Sequence, residues 1–393
     1  MEDAVILSGL RTPIGSFQGS LSSLSAPQLG AIVIQEAVKR AGIQAADVDE
    51  VIMGCVLTGA MGQAPARQAA LHGGLPNSVP CMTINKVCGS GMKAVMLAAQ
   101  SIRLGESRVA VAGGMESMSN APYAMDKART GFRMGHGTIL DTMIHDGLWD
   151  PYNNVHMGNC GDLCARECHY TRAQVDEYAA ESYRRALACQ KAGRFQTEIV
   201  PVAVPQRKGE PLVVDQDEEP GKGNPEKLPT LRPAFAKDGV TTAGNASSID
   251  DGAAALVVAS RAEAEKRGLK PLARVVAYTT HAQDPQWFTT APAVAVQKLL
   301  SMNQMSVGDV DLFEVNEAFA VVAMVTADRI GIPREKLNVN GGAVALGHPI
   351  GMTGARLILT AIHELRRRGG KYAVATPCIG GGEATAMLLE AIK

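Results

Sequence analysis

The segment 84–93 (INKVCGSGMK) places Cys88 where a cysteine can act as a nucleophile. Glycines flank the thiol, and a helical pattern over 92–103 follows directly. Free backbone amides and the positive end of a helix dipole favour a thiolate at such a position, and glycines let a substrate approach the backbone. A small cysteine buried in a tight turn would explain the same segment. These residues alone leave both interpretations open.

Two further glycine-rich segments carry groups that suit acyl chemistry. In 338–356, His348 lies among glycines before a second helical pattern, and a histidine can remove a thiol proton near neutral pH. Near the C-terminus, Cys378 precedes the triplet 380–382, a loop able to point amide groups at an anion. A lone histidine is more often structural, but its glycine-rich setting favours a catalytic role. The segments together offer a base, a second sulfur and an oxyanion cradle.

Other conspicuous patterns do not indicate a metal, nucleotide or nucleic-acid site. Cys160, Cys164 and Cys168 recur every four residues. Zinc and iron–sulfur motifs use closer pairs, and residues eight apart on a straight helix are separated by about 12 Å. The glycine triplet lacks the Gly-Lys-Ser/Thr ending of a P-loop. The basic run 366–371 lies at a predicted helix C-terminus, where positively charged side chains interact favourably with the helix dipole. We therefore expect no bound metal and no redox cofactor.

Composition predicts a cytosolic globular protein with more than one core. The chain has 393 residues, 46% hydrophobic and 20% charged, and 38 basic residues balance 39 acidic ones. Such a balance gives no strong field to attract nucleic acid or an anionic membrane. Apolar runs stop well short of the roughly 20 residues that a membrane span needs, and the N-terminus lacks a basic targeting segment. In the cytosol the eight cysteines are expected to be thiols.

The elements that must position these groups alternate between strand and helix. A strand is predicted at 4–8, a helix at 29–41 closed by Gly42, and a short strand at 51–53. From about residue 120 to 245 the chain turns polar and rich in proline, and apolar strand signals return at 250–260. The pattern predicts two α/β halves around an inserted excursion.

A weak sequence similarity between the two halves supports that division. Cys88 and His348 each follow a strand-like run and stand beside glycines that open a helix. The runs 109–115 and 372–382 also look alike, which indicates a duplication.

Taken together, these segments resemble the thiolase family from residue 11 to the C-terminus. Family segments also occur in the family's order at 113–118 (GGMESM), 156–158 (HMG), 231–235 (LRPAF), 242–247 (TAGNAS) and 315–319 (VNEAF).

The resemblance implies an α/β thiolase fold of five layers, αβαβα, built from two similar halves and an inserted loop domain. The N-terminal half would comprise 1–120 and 248–270. The loop domain, with CoA-binding and oligomer contacts, would comprise 121–247, and the C-terminal half 271–393.

The resemblance also implies catalytic roles. Cys88 would accept the acyl group, His348 would activate it, and Cys378 would act as acid and base at the substrate α-carbon. One oxyanion hole would use His348 and a water held by Asn316, and the other the backbone amides of Cys88 and Gly380. Without the resemblance, Asn316 reads as a helix or turn cap.

Contacts to coenzyme A are implied in the same way. Ser247 would lie near the pantetheine, although it could also cap a helix begun at 248–251. Lys222 would replace, as a point charge, the arginine that many relatives offer to the nucleotide end. Glu383 is a departure, since relatives commonly have methionine or glutamine there. The passage would be lined by residues that could equally be ordinary core: His156, Met157, Phe235, Ala318 and Phe319.

The activity favoured by the resemblance is that of an acetyl-CoA C-acetyltransferase, which reversibly joins two acetyl-CoA molecules into acetoacetyl-CoA and CoA. A degradative 3-ketoacyl-CoA thiolase of broader chain length is the alternative. Ketoacyl synthases would lack the second cysteine, and a non-enzymatic lipid-binding relative would have lost reactive positions. The family further implies acyl-CoA substrates without a separate cofactor, a homodimer or homotetramer, and a place in lipid metabolism.

Overall fold

A computed structural model describes residues 2–392, and its strands alternate with helices along most of the chain. The strands are β1 Ala4–Arg11, β2 Gly15–Ser16, β3 Glu50–Gly54, β4 Cys81–Ile84, β5 Val109–Ser117, β6 Tyr123–Ala124, β7 Leu140–Asp141, β8 Trp149–Asp150, β9 Val155–His156, β10 Val202–Val204, β11 Leu212–Val214, β12 Asp250–Ser260, β13 Ala273–Ala282, β14 Leu312–Val315, β15 Tyr372–Thr376, β16 Cys378–Ile379 and β17 Glu383–Ala391.

The α-helices begin and end at the signals expected of them. The first helix starts after a capping box formed by Ser25 and Gln28 and stops at Gly42, which adopts the left-handed conformation. The helices are α1 Ala26–Ala41, α2 Pro65–His72, α3 Ser90–Leu104, α4 Met157–Glu167, α5 Arg172–Lys191, α6 Glu219–Lys222, α7 Arg261–Lys266, α8 Ala291–Met302, α9 Ala320–Ile330, α10 Ala343–Leu346 and α11 Thr353–Arg368.

The main sheet has two halves with the same strand arrangement, and the halves meet where β13 lies next to β1. The strand order is β14-β15-β17-β13-β1-β12-β5-β3-β4. In the first half β3 runs parallel to β5, and β12 and β1 follow antiparallel. In the second half β14 runs parallel to β15, and β17 and β13 follow antiparallel. The predicted likeness of 109–115 and 372–382 therefore reflects β5 and β15, which hold equivalent places.

Helices cover both sheets and fill the space between them. Helices α1 and α2 pack on the outer face of the first sheet, and α8 packs on that of the second and against α9. Helices α3 and α11 pack against each other between the sheets, which gives the five αβαβα layers. Glycine permits this close central packing, because a Cβ on Gly354 would lie 2.4 Å from the Met92 nitrogen.

The polar stretch 121–247 forms α4, α5, α6 and three small two-stranded ribbons. In the described part of the chain none of its strands joins the main sheet. Arg11 at the end of β1 pairs with Glu198 and Asp217, which fastens this stretch to the first half. The domain boundaries given above remain a prediction. No helix within 2–392 combines the length and apolarity needed to cross a bilayer.

One element differs from its sequence prediction. The helix suggested at 248–251 is wrong, because Asp250 and Asp251 begin β12 and pair with Ser16 and Gly15 of β2. Strand β12 is buried throughout and starts at Asp250, so Ser247 does not cap a helix.

Candidate active site

Cys88 lies in a tight turn between β4 and α3. Val87 adopts a left-handed conformation with φ of 45°, which is strained for a β-branched residue. Ser90 closes the turn: its hydroxyl accepts a hydrogen bond from the Lys86 amide at 2.8 Å and donates one to the Val87 carbonyl at 2.7 Å. The thiol therefore stands at the start of α3, as the glycine-flanked segment predicts.

The expected thiolate is not the resting form of Cys88. Burial raises the pKa of Cys88 to about 11, and the backbone amides of Gly380 and Cys88 offset only part of this effect. The Glu116 carboxylate raises the pKa further. Desolvation therefore outweighs the helix terminus, and the thiol needs a base before it can attack.

His348 follows α10 and is held on three sides. Its backbone amide donates to Asp250 Oδ2 at 2.8 Å, and its Nδ1 lies 2.6 Å from Thr353 Oγ1. The Thr353 hydroxyl donates its proton to the Pro349 carbonyl at 2.9 Å, so it accepts from His348 Nδ1–H. The lone pair of His348 is consequently on Nε2, an assignment that follows from the hydrogen-bond network.

Asn316 lies beside the free nitrogen of His348. Its Nδ2 is 3.3 Å from His348 Nε2, and its buried Oδ1 has no hydrogen-bond partner among the described residues. Burial, together with the charge of Arg356, lowers the pKa of His348 to about 3, so the ring is neutral. A buried unpaired amide oxygen marks a place for a water or a substrate group.

Cys378 forms β16 with Ile379, immediately before the glycine triplet. Burial raises the pKa of Cys378 well above its usual value, and the nearby Cys88 sulfur adds to the shift. The nearby Ala318 amide and Asn316 side chain oppose this shift. The Cys88 sulfur is thus close enough to influence the ionisation of Cys378.

Most of the predicted site residues line one cavity of about 210 Å³. From the catalytic set it contains Cys88, His348 and Gly380. From the predicted CoA contacts it contains His156, Met157, Phe235, Ser247, Ala318 and Phe319. Asn316 and Cys378 lie directly behind this lining, through their contacts with His348 and Ala318.

Aromatic side chains form the walls of the cavity. The His156 and Phe235 rings stack at 4.6 Å, and Phe235 meets Phe319 edge to face at 6.0 Å. Phe288 packs on the other side of Phe319 at 6.3 Å. The Ser247 hydroxyl and amide both point to the Ala318 carbonyl, at 3.1 and 3.0 Å. The result is a narrow apolar passage with polar groups at few points, as suits a pantetheine arm.

Lys222 is not among the residues that line this cavity. It lies at the end of α6, where its ammonium group contacts the Ser16 hydroxyl and is 3.7 Å from Glu219. Glu219 thus shares this charge, and the contact of Lys222 with the nucleotide end of CoA stays a prediction.

Several residues at the site have no sequence pattern that predicts a role there. Glu116 accepts backbone hydrogen bonds from Val56, Leu57 and Gly351, and burial raises its pKa to about 7. It thereby holds the turn after His348, whereas its segment 113–118 indicates only family membership in the sequence. The remaining lining residues are mostly apolar, and nothing in their spacing separates them from core: Met118, Gly147, Leu148, Ala246, Ser248, Ile249, Phe288 and Ile350.

The cysteines of α4 are separate thiols. Cys160 and Cys164 lie within the helix and Cys168 at its end. All eight cysteines of the chain are unpaired. Among residues 2–392 no three histidine, cysteine or acidic side chains are grouped as metal ligands.

The fold and this site agree with what comparison with known proteins finds. The N-terminal thiolase domain matches residues 4–262 and the C-terminal thiolase domain residues 269–391. The chain belongs to the thiolase family, which confirms the resemblance read from its segments.

Close relatives have the same extent. The chain is 54% identical to acetyl-CoA acetyltransferase 2 of Arabidopsis thaliana over 390 residues, which cover 99% of this chain and 97% of that protein. It is 50% identical to the acetyl-CoA acetyltransferase of Pseudomonas aeruginosa, with 99% of each covered.

Two solved structures confirm the predicted fold class. The acetyl-CoA acetyltransferase of Bacillus anthracis superimposes with a TM-score of 0.98 at 43% identity, covering 100% of this chain and 99% of that one. The Acat5 thiolase of Ascaris suum, solved in complex with coenzyme A, superimposes with a TM-score of 0.95 at 43% identity, with 100% of both chains covered.

Proposed function

We propose that this protein is an acetyl-CoA C-acetyltransferase, which joins two acetyl-CoA molecules into acetoacetyl-CoA and CoA and also runs in reverse. The observation that carries the proposal is an aromatic-walled cavity that Cys88 and the neutral His348 line, with Cys378 directly behind its lining. The names of the relatives that match over almost the whole chain support the same activity.

The first half-reaction loads Cys88. His348 Nε2 takes the Cys88 proton, and the thiolate attacks the thioester carbonyl of acetyl-CoA. The backbone amides of Cys88 and Gly380 stabilise the oxyanion. The departing CoA sulfur takes a proton from Cys378. The products are free CoA, acetyl-Cys88, a Cys378 thiolate and a protonated His348.

The second half-reaction forms the carbon–carbon bond. The Cys378 thiolate removes an α-proton from a second acetyl-CoA, and the raised pKa of this thiol makes its anion a strong base. His348 and a water held on the unpaired Oδ1 of Asn316 stabilise the enolate oxygen. The enolate carbon then attacks acetyl-Cys88. The expelled Cys88 sulfur recovers its proton from His348, and the site returns to its starting state.

The alternative is a degradative thiolase that accepts longer chains, and the apolar lining around Leu148 and Ile350 is the observation that favours it. Thiolytic cleavage of acetoacetyl-CoA should be compared with that of 3-ketohexanoyl-CoA and 3-ketodecanoyl-CoA. We expect kcat/KM to be highest for acetoacetyl-CoA and to fall as the chain lengthens. A higher kcat/KM for the ten-carbon substrate would favour the alternative, and absence of cleavage of all three would favour a non-enzymatic protein.

The surroundings in which this reaction runs are also proposals. We propose a cytosolic homodimer or homotetramer that functions in lipid metabolism and needs no cofactor beyond its CoA substrates. Light scattering of the purified protein measures the assembly. Dialysis against a chelator should leave turnover unchanged, and a loss restored by one divalent ion would overturn the metal-free reaction.

A further inference from the structure

An ion pair joins the loops that carry the two cysteines. Lys86 lies two residues before Cys88, and its ammonium group contacts the carboxylate of Glu383, which begins β17 just after the glycine triplet. The partners are 297 residues apart in sequence. Their side chains are only 23% and 32% exposed, so the pair is partly shielded from solvent.

The same loops touch at the reacting sulfur. A Cβ on Gly89 would lie 2.3 Å from Ile379 Cδ1, so the backbone after Cys88 rests directly on the residue after Cys378. The Gly380 amide lies near enough to the Cys88 sulfur to lower the pKa of this thiol. The relative placement of the two loops therefore sets a contact of the nucleophile itself.

The two loops differ in how firmly they are held. Glu383 lies in the main sheet, where it pairs with Ala282 of β13 and with Ile379. Lys86 precedes Val87, whose left-handed conformation persists only if neighbouring contacts impose it. The ion pair links this strained turn to the rigid strand.

We propose that Lys86 and Glu383 are positioning residues, whose ion pair holds the Cys88 turn at the distance from Gly380 and Cys378 that both half-reactions need. The inference rests on the proposed function and adds to it a pair that acts through Cys88 without touching substrate. Glu383, a departure from the usual family residue, thereby acquires a role that depends on Lys86.

Charge-swap variants test the pair because they keep its combined length. Lys86→Glu leaves two carboxylates together and Glu383→Lys leaves two ammonium groups, so each single variant should push the loops apart. The double variant restores an opposite-charge pair. Lys93, which senses the charge of Lys86, and Glu116, which acts on Cys88, stay unchanged in all variants.

The readout is the pH dependence of Cys88 alkylation by iodoacetamide, followed by peptide mapping. Both single variants should raise the pKa of Cys88, because both move the Gly380 amide away from the sulfur, and the alkylation rate at pH 8 should fall about three- to tenfold. The double variant should return to within about twofold of the parent. Condensation rates should follow the same order.

A direct electrostatic effect would give a different pattern. A carboxylate in place of Lys86 would raise the pKa of Cys88, and an ammonium group in place of Glu383 would lower it. Shifts of opposite sign overturn the proposal, as does a double variant no better than the single ones. Alkylation needs no CoA chemistry, so it reports on the pair even if the parent protein fails to condense acetyl-CoA.

Arg274 and Glu390 provide a matched control. They form a comparably shielded ion pair between β13 and β17, with side chains 28% and 22% exposed. Arg274→Glu should alter stability and leave the pKa of Cys88 in place. A similar shift in this control would show that any lost ion pair disturbs Cys88 and would contradict a specific role for Lys86.

Discussion

Cys88 and His348 are both neutral in the free protein, although one stands at a helix start and the other is the proposed base. Burial raises the pKa of the thiol to about 11 and lowers that of the imidazole to about 3. A standing thiolate–imidazolium pair is therefore disfavoured. The proposed mechanism therefore couples proton transfer to the attack on the thioester, where the amides of Cys88 and Gly380 would stabilise the developing charge.

This arrangement predicts the pH dependence of Cys88 alkylation in the free enzyme. Below a pKa of about 11 the thiolate fraction rises tenfold with each pH unit, so the rate with iodoacetamide should still climb between pH 7 and pH 9. Mass-spectrometric peptide mapping distinguishes Cys88 from the other cysteines, and acetyl-CoA should protect it. A rate that levels off near pH 7 would reveal a standing thiolate and contradict this view.

Sequence finds the reacting residues more readily than their ionisation. Cys88, His348 and Cys378 stand out because glycines flank them, and glycine-rich turns are visible in the chain. Their pKa values depend on side chains that only the fold brings close. Asp250 and Glu116, which hold the His348 loop, were missed as site residues because a carboxylate that accepts distant backbone amides leaves no local pattern.

At the scale of elements, the loop that carries His348 is positioned by close backbone contacts with β5. Gly114 in β5 lies against the loop that carries His348, and a Cβ there would come 2.0 Å from the Gly351 carbonyl oxygen. Glu116, two residues along the same strand, accepts the Gly351 amide at 2.9 Å. Strand β5 therefore determines the position of the loop that carries His348.

Gly114→Ala should displace that loop and impair catalysis. The added methyl group cannot be accommodated against backbone, so we expect at least about a tenfold loss of kcat and a fall in unfolding free energy of about 1–3 kcal/mol. Steady-state kinetics and urea denaturation measure the two effects. Gly221→Ala is the matched control, since a Cβ there meets nothing within 4 Å. Parent-like kinetics in Gly114→Ala would show that β5 does not set the loop.

Element boundaries were predictable where caps and apolar patterns coincide. The helix expected at 92–103 is α3, Ser90–Leu104, and the strand expected at 51–53 is β3, Glu50–Gly54. The helix suggested at 248–251 is wrong: β12 begins at Asp250, as the strand signals at 250–260 indicate, and pairing with β2, a contact remote in sequence, holds this end of the strand. Local propensity could not foresee that pairing.

For the whole molecule, a buried charge cluster fastens the inserted stretch to the first half. The Arg11 side chain is fully buried, lies 2.7 Å from Glu198 and 2.6 Å from Asp217, and packs over the Phe195 ring. Asp217 also accepts the Ile14 amide at 2.8 Å. Removing the guanidinium group would leave two buried carboxylates without their cation.

Arg11→Met should therefore destabilise the protein by about 3–5 kcal/mol, the usual penalty for breaking a buried ion pair from one side. The unfolding free energy from denaturant titration measures it. Arg108→Met removes a mostly exposed arginine paired with Asp49 and should change the unfolding free energy by less than about 0.5 kcal/mol. Equal effects of the two substitutions would contradict a fastening role for Arg11.

The overall architecture was less accessible to sequence reasoning than its parts. Alternation of strands and helices predicts two α/β halves, but the five layers and the inserted loop domain came from the family resemblance. The cavity draws its walls from segments far apart in sequence, such as Leu148, Phe288 and Ile350. Apolar residues that become substrate walls look like core until the halves are assembled.

The central claim is that Cys88 carries the acetyl group while Cys378 is the base at the substrate α-carbon, and Cys378→Ala tests it most directly. With labelled acetyl-CoA, this variant should still acquire an acetyl group on Cys88, more slowly because the leaving CoA loses its proton donor, while condensation collapses. It should also lose exchange of the acetyl-CoA methyl hydrogens with deuterated water, since no base remains at the α-carbon. Cys88→Ala should form no acetyl-enzyme. If Cys378→Ala keeps both hydrogen exchange and acetoacetyl-CoA formation near parent rates, Cys378 is not the base and the account is wrong.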